Sequence, residues 1–169
     1  MRQKAEMGQA FSVRPMGAGD ISAAAAIEAT VPDGWSGRAI AEYAAMPAAR
    51  CFVAVSGQQV CGFAAFTCAA GEANLDALSV AAPVRRHGAA RALLGGAFQA
   101  LRAQGTECVF LEVRTQNAPA RALYHSLGFI QTGIRKGFYT NPKDDAILMK
   151  RPLESAAYLQ KGGTLSLIH

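Results

Sequence analysis

The sequence predicts a mixed α/β fold: a sheet of about seven strands, partly parallel and partly antiparallel, with four helices on its two faces. Two observations predict it. Ala90, Leu93, Leu94, Ala97, Phe98 and Leu101 recur at alternating spacings of three and one, which is the apolar stripe of a helix over 89–103. Around that helix, short apolar runs follow one another in two ways. Three lie close together before it, joined by short turns, as antiparallel hairpins require. The runs on either side of it need a helical crossover, as parallel strands require.

Each element has its own local reason. Phe11 to Arg14 reads as a short strand ending at Pro15. Asp20 is placed to cap an alanine-rich helix reaching Ala29. Val31-Pro32-Asp33-Gly34-Trp35 breaks the chain. Ser36 caps a second helix reaching Met46, and Pro47 stops it. Cys51 to Val55 and Gln59 to Thr67 form a hairpin about Ser56-Gly57, and Ala73 to Val80 is a third strand, ended by Ala82-Pro83. Gln104-Gly105 closes the helix over 89–103. Glu107 to Arg114 is a strand with Cys-Val-Phe-Leu at its centre, and Asn117 caps a helix from Ala118 to Leu127 that Gly128 ends. Phe129 to Lys136 and Ala146 to Lys150 are two strands joined by a polar loop, and Pro152 ends the domain. The domain thus covers 11–153, after an extension over 1–10. A tail from Glu154 to His169 has no strong periodicity and is expected to be mobile.

A chain of 169 residues has room for one domain with its own core. At 51% hydrophobic and 17% charged residues it is globular in composition, not disordered. No apolar run approaches the ~20 residues of a membrane span, so no membrane partner is expected. Met1 to Ala10 carries charges with no apolar run after it, so no secretory leader is expected and the cytoplasm is the implied location. Cys51, Cys61, Cys68 and Cys108 form no C-x-x-C pair and sit in apolar runs, as small buried hydrophobes do in a reducing compartment. No metal site is expected from them. The net charge of +5 and pI of about 9.3 suit an anionic cofactor or a ribosome-associated partner. Without basic and aromatic residues interleaved, direct nucleic-acid binding is not expected.

The chemistry-bearing stretch is Arg85-Arg86-His87-Gly88-Ala89-Ala90-Arg91, a basic, glycine-bearing turn that leads from a strand into a helix. The first N–H groups of a helix have no intrahelical partner, and the helix dipole favours an anion there. The turn therefore suits a phosphorylated cofactor. It is neither of the two common phosphate loops. No Gly-Lys-Ser/Thr follows Gly88, and the three glycines of a dinucleotide fingerprint are missing. Taken alone, a surface turn with solvated arginines is as good a reading.

Its neighbours in sequence decide the matter. Leu78-Ser79-Val80, then R-R-H-G-A-A, Leu-Glu-Val-Arg over 111–114, Asn117, and Ala122-Leu-Tyr-His-Ser-Leu-Gly-Phe129 together resemble the GNAT family of acetyl-CoA-dependent N-acetyltransferases. The family's pyrophosphate loop, Q/R-x-x-G-x-G/A, is matched by Arg85, Gly88 and Ala90. Gly34-Trp35-Ser36 and Ile-Arg-Lys-Gly-Phe-Tyr before Asp-Asp-Ala-Ile extend the resemblance to the RimI branch, which acetylates the N-terminal alanine of a small-subunit ribosomal protein. Pro119 before Ala120 departs slightly from that branch, and Arg85 stands where glutamine is commoner.

The resemblance implies acetyl-CoA as co-substrate, no metal, and the N-terminus of a protein, ribosomal in that branch, as acceptor. It implies that the amides of Arg86, His87, Gly88, Ala89, Ala90 and Arg91 hold the pyrophosphate. Leu78, Ser79 and Val80 would pair their backbone with the pantetheine arm where central strands splay, and Asn117 would meet the cofactor near its thiol end while also serving as a helix N-cap. Glu112 would be the base, acting directly or through water, and Tyr124 the acid that protonates the departing thiolate. A carboxylate on an apolar strand is costly unless it faces a polar cleft. From the residues alone, Glu112 reads equally as a solvent-facing group or a partner of Arg114, and Tyr124 as a core tyrosine beside Leu123 and Leu127. The Val80 N–H is the expected oxyanion donor. Trp35, Phe138 and Tyr139 are candidate walls of a peptide slot, Trp35 serving equally as a lid on the core. His87 and His125 read as solvated groups. Two rivals remain: an acetyltransferase of small amines or lysine side chains, and a non-catalytic acyl-CoA-binding or ribosome-binding module.

Overall fold

A computed structural model describes residues 10–153, so the extension and the tail expected at the two ends lie outside the described residues. The elements are β1 (Ser12–Pro15), α1 (Ile21–Glu28), α2 (Gly37–Ala44), β2 (Ala49–Ser56), β3 (Gln59–Ala69), β4 (Glu72–Val80), α3 (Ala89–Ala103), β5 (Cys108–Arg114), α4 (Ala118–Ser126), β6 (Ile130–Thr140) and β7 (Lys143–Pro152). The strands form one sheet in the order β1-β2-β3-β4-β5-β7-β6. The β4–β5 pair is parallel, over Glu72↔Cys108, Ala73↔Val109 and Asn74↔Phe110. The pairs β1–β2, β2–β3, β5–β7 and β6–β7 are antiparallel. The mixed α/β sheet of seven strands and four helices is the predicted class.

The described residues fall into two compact units, 10–67 with 76–100, and 68–75 with 101–153. In the first unit the core is built from alternate or continuous apolar runs of β2 and β3 and the stripe of α3. Phe63, Ala64, Ala65, Phe66, Leu93, Leu94 and Ala97 are fully buried. Phe66 meets Phe52 and Phe98 edge-on, at centroid distances of 6.0 and 6.5 Å. In the second unit Val109, Leu111 and Val113 point one way along β5, and their pairing places buried Met149 and Ile147 of β7 on the same face.

Two caps stand as predicted. Ser36 Oγ accepts the Ala39 N–H at 3.1 Å, and Asn117 Oδ1 accepts the Ala120 N–H at 3.2 Å. Asp20 behaves differently. A 3-10 turn, Ala18–Asp20, precedes α1, and the Asp20 carboxylate caps that turn by accepting from Gly17 N at 2.7 Å. It also takes both guanidinium nitrogens of Arg14, at 2.6 and 2.9 Å. The polar loop expected after Lys136 is strand instead. β6 and β7 continue to Tyr139↔Asp144 and Thr140↔Lys143 across a bulge. The residues there are exposed or half-buried with no apolar alternation, so hydropathy gives no sign of a strand that backbone pairing makes.

Candidate active site

In the first unit, β4 ends in a turn whose backbone is preset. A 3-10 turn, Ala82–Val84, leads to Arg86 at φ +68° and Gly88 at φ +83°, and α3 opens at Ala89. Successive N–H groups in such a turn can line an anion-binding concavity, although the His87 N–H, expected among them, is given to the Val84 carbonyl at 3.2 Å. A Cβ added at Gly88 would meet nothing within 4 Å, so the demand there is conformational. Arg85, Arg86, His87, Gly88 and Arg91 are exposed. Arg85 is committed within the protein: Nε donates to the Val80 carbonyl at 3.1 Å and Nη2 to Thr30 Oγ1 at 3.0 Å.

Along β4, Leu78 and Val80 are half-buried while Ser79 is 4% exposed and faces the core. Ser79 Oγ is buried with no hydrogen-bond partner among the described residues. Any role of Ser79 toward a ligand is thus a backbone role.

Trp35 rests on the core. It packs against the cluster of Ala24, Ile40, Phe63 and Ala65, with Tyr43 at 4.8 Å and Phe63 at 6.2 Å between ring centroids. Its N–H donates to Glu28 Oε1 at 3.2 Å. Glu28 is a carboxylate that sequence reading missed, and it is only 3% exposed. A lone acid closing an apolar, alanine-rich helix was the available signal. Gly34 is held against the same helix end, since an added Cβ would lie 1.7 Å from the Glu28 carbonyl oxygen. Below it, Asp76 accepts from Tyr43 Oη at 2.6 Å and Thr67 Oγ1 at 2.8 Å. Burial, with Asp76 adding, pushes the Cys51 thiol up to about 11, and burial also raises Cys61 and Cys108. All four cysteines are free.

In the second unit, Tyr124 is 8% exposed and its ring meets Phe129 edge-on at 5.6 Å. Burial above all, then Tyr139, pushes its phenol up to about 12. Tyr139 is raised by burial first and by the Glu112 carboxylate next, against Arg114, whose guanidinium lies 4.2 Å over its ring. Glu112 lies on the half-buried side of β5 with Phe110 and Arg114. Arg114 donates to the carbonyls of Pro142 and Asn141, at 2.7 and 3.2 Å. Glu112 thus acts on Tyr139, and Tyr139 in turn on Tyr124. Phe138 is exposed, 4.9 Å from Tyr139 and under the Arg135 guanidinium at 5.2 Å. Asn117 is exposed at the start of α4, and His125 is exposed further along it. An open groove of about 530 Å³ in this unit is lined by residues that include Arg121, Ala122, His125, Ile130, Ile147 and Met149, and no residue predicted for the site lines it. Among the described residues, no group of His, Cys, Asp and Glu could hold a metal ion, and no helix is long and apolar enough to cross a membrane.

A strand that feeds a left-handed basic turn and then a helix, in a seven-stranded mixed sheet, is the architecture of an acyl-transfer enzyme family. The chain belongs to the acetyltransferase (GNAT) family, which it matches over residues 22–129. It is similar to the [ribosomal protein bS18]-alanine N-acetyltransferase of Escherichia coli (strain K12), at 42% identity over 84 residues, 48% of this chain and 57% of that protein. The chain therefore spans a little over half the length of such curated relatives. It is also similar to an N-alpha-acetyltransferase of Saccharolobus solfataricus, at 39% identity over 77 residues, 45% of this chain and 46% of that one. Among solved structures, the ribosomal-protein-S18-alanine N-acetyltransferase from Escherichia coli superposes with a TM-score of 0.79 at 31% identity, covering 87% of this chain and 96% of that one.

Proposed function

We propose that the chain is an acetyl-CoA-dependent N-alpha-acetyltransferase. It moves acetyl to the N-terminal amine of a protein, alanine first, and the acceptor class is a small-subunit ribosomal protein in the cytoplasm. The observation that carries this reading is the Glu112–Tyr139–Tyr124 group. Glu112 raises Tyr139, Tyr139 raises Tyr124, and both proposed proton-transfer residues lie within the stretch 22–129 that matches the acetyltransferase family.

The preset turn over 85–91 fits a diphosphate: its left-handed residues and the amides that open α3 present N–H groups, and its side chains add positive charge. Acetyl-CoA, when bound, supplies the thioester, whose C–S bond breaks as a C–N bond to the acceptor forms. The remaining work falls to the chain. An N-terminal amine has a pKa of about 7.7–8.0 and is mostly protonated at pH 7. Glu112 takes that proton, directly or through one water, and frees the nitrogen lone pair. The Val80 N–H donates to the oxygen on which charge develops. Tyr124, which holds its phenolic proton through the neutral range, gives it to the departing sulfur, and the proton that the nitrogen sheds as the amide forms restores the phenol. Leu78 to Val80 and Asn117 align the cofactor, and Trp35, Phe138 and Tyr139 bound the acceptor peptide. Attack within a ternary complex needs no nucleophilic serine or cysteine, so positioning supplies much of the rate.

Mass spectrometry of ribosomal-protein N-termini, with and without this chain, tests the reading. Acetylation of an alanine N-terminus that depends on the chain is the expected result. In vitro, turnover of free amines or lysine peptides in preference to an alanine-first peptide refutes the acceptor class. Binding of acetyl-CoA without turnover of any amine refutes the enzyme.

A further inference from the structure

Arg85 and Thr30 join the phosphate-side turn to the segment that carries Trp35, all within the first unit. The Arg85 guanidinium donates to Val80 O at 3.1 Å on one side and to Thr30 Oγ1 at 3.0 Å on the other, fifty-five residues away in sequence. Thr30 in turn donates its hydroxyl to Ile27 O at 2.7 Å, and its own N–H bonds the same carbonyl. One residue on, Glu28 closes α1. Its carbonyl accepts from Val31 N at 3.2 Å, and its buried carboxylate accepts from Trp35 N. Hydrogen bonds therefore run from Val80 through Arg85 and Thr30 to Ile27, and the adjoining backbone of Glu28 carries the connection on to Trp35.

From this we propose that Arg85 and Thr30 are positioning residues that couple occupancy of the 85–91 turn to the acceptor-binding conformation of residues 31–35. The inference rests on the proposed acetyl-CoA and acceptor roles of these segments. The turn has its left-handed shape at Arg86 and Gly88 and the Arg85–Thr30 bond is already made, so an anion held by the turn's amides adds its binding energy to the arrangement in which Arg85 holds Thr30. Fixing Thr30 fixes the end of α1, and with it the Glu28 carboxylate that holds Trp35. Coupling of this kind is reciprocal: CoA strengthens acceptor binding by the factor by which the acceptor strengthens CoA binding. A single exposed hydrogen bond sets its size at roughly 3- to 10-fold.

The test uses the full chain, CoA as the non-reacting probe, and an alanine-first peptide. Calorimetry gives the peptide Kd with and without saturating CoA. Wild type should bind the peptide several-fold tighter with CoA present. Thr30→Val and Arg85→Ala should bring that ratio close to one and raise the peptide KM more than they lower kcat. Thr30→Ser keeps the hydroxyl and should restore the wild-type ratio. A merely structural role would leave the ratio alone and lower thermal stability instead. Wild type that binds CoA but shows a ratio of one overturns the coupling, as do Thr30→Val and Arg85→Ala proteins that keep the wild-type ratio. Wild type that binds no CoA overturns the proposed function itself, and the coupling with it.

Discussion

Tyr124→Phe separates chemistry from packing more cleanly than any other substitution in this chain. The ring is 8% exposed and meets Phe129 at 5.6 Å, and phenylalanine keeps both features. Only the hydroxyl goes, so the folding free energy should move by no more than about 1 kcal/mol. On the proposed acid role, the loss of rate is much larger. General acid catalysis contributes about 10²–10⁴-fold, and at about 1.36 kcal/mol per decade that raises the barrier by about 3–5 kcal/mol. Tyr124→Ala provides the contrast, because emptying the buried site costs about 3–5 kcal/mol of stability in addition. Turnover is followed by the CoA thiol released from acetyl-CoA in the presence of an alanine-first peptide, and stability by denaturant unfolding. With its phenol held at about 12, Tyr124 stays protonated through neutral and mildly alkaline pH, so no alkaline loss of rate below pH 10 should trace to it. A Tyr124→Phe protein that turns over at the wild-type kcat refutes the acid assignment. One that unfolds as easily as Tyr124→Ala refutes the separation of chemistry from packing.

Three further outcomes follow from the same geometry. Glu112→Gln should lower kcat most at neutral pH while acetyl-CoA binding persists; an unchanged pH–rate profile would remove Glu112 as the base. Ser79→Ala deletes a buried hydroxyl that makes no hydrogen bond and leaves the β4 backbone intact, so it should stabilise the fold by about 1 kcal/mol with kcat unchanged. A lower melting temperature would show that the hydroxyl has a partner. The Arg14 guanidinium holds the Asp20 carboxyl down at about 2, below its ordinary value, so the stability it gives is complete above about pH 4 and is lost as pH falls through 2. Because the pair lies at the surface, Asp20→Asn should cost under about 1 kcal/mol at pH 7 and nothing below pH 2, as acid titration of the two proteins would show.

The sequence was readable where structure is decided within a few residues. The α3 stripe, the Ser36 and Asn117 caps and the glycine turn at 88 are local arrangements, and each stands where expected. It was unreadable where the deciding partner is far along the chain. The exposed, polar ends of β6 and β7 are strands only because they pair with each other across a bulge. Asp20 left α1 because Arg14 and Gly17 offered closer donors. The candidate site divides in the same way. Glu112 and Tyr124 stood out because motifs surround them, and Trp35 stood out because it is the chain's only tryptophan. Its seat on Phe63 and Tyr43, and the Glu28 carboxylate that holds its N–H, depend on residues no local pattern connects to it. The second bond of Arg85, to Thr30, was hidden for the same reason.

The high proton affinity of Cys51 matters for the proposed use of a thioester co-substrate. Acetyl-CoA acylates thiolates, and a chain with four cysteines is a standing target for that side reaction. With its thiol at about 11, Cys51 is ionised in only about one molecule in ten thousand at pH 7, and burial raises Cys61 and Cys108 in the same direction. Burial first, with the Asp76 carboxylate that anchors Tyr43 and Thr67 adding to it, thus keeps the Cys51 sulfur a poor competitor for the acetyl group of the proposed co-substrate.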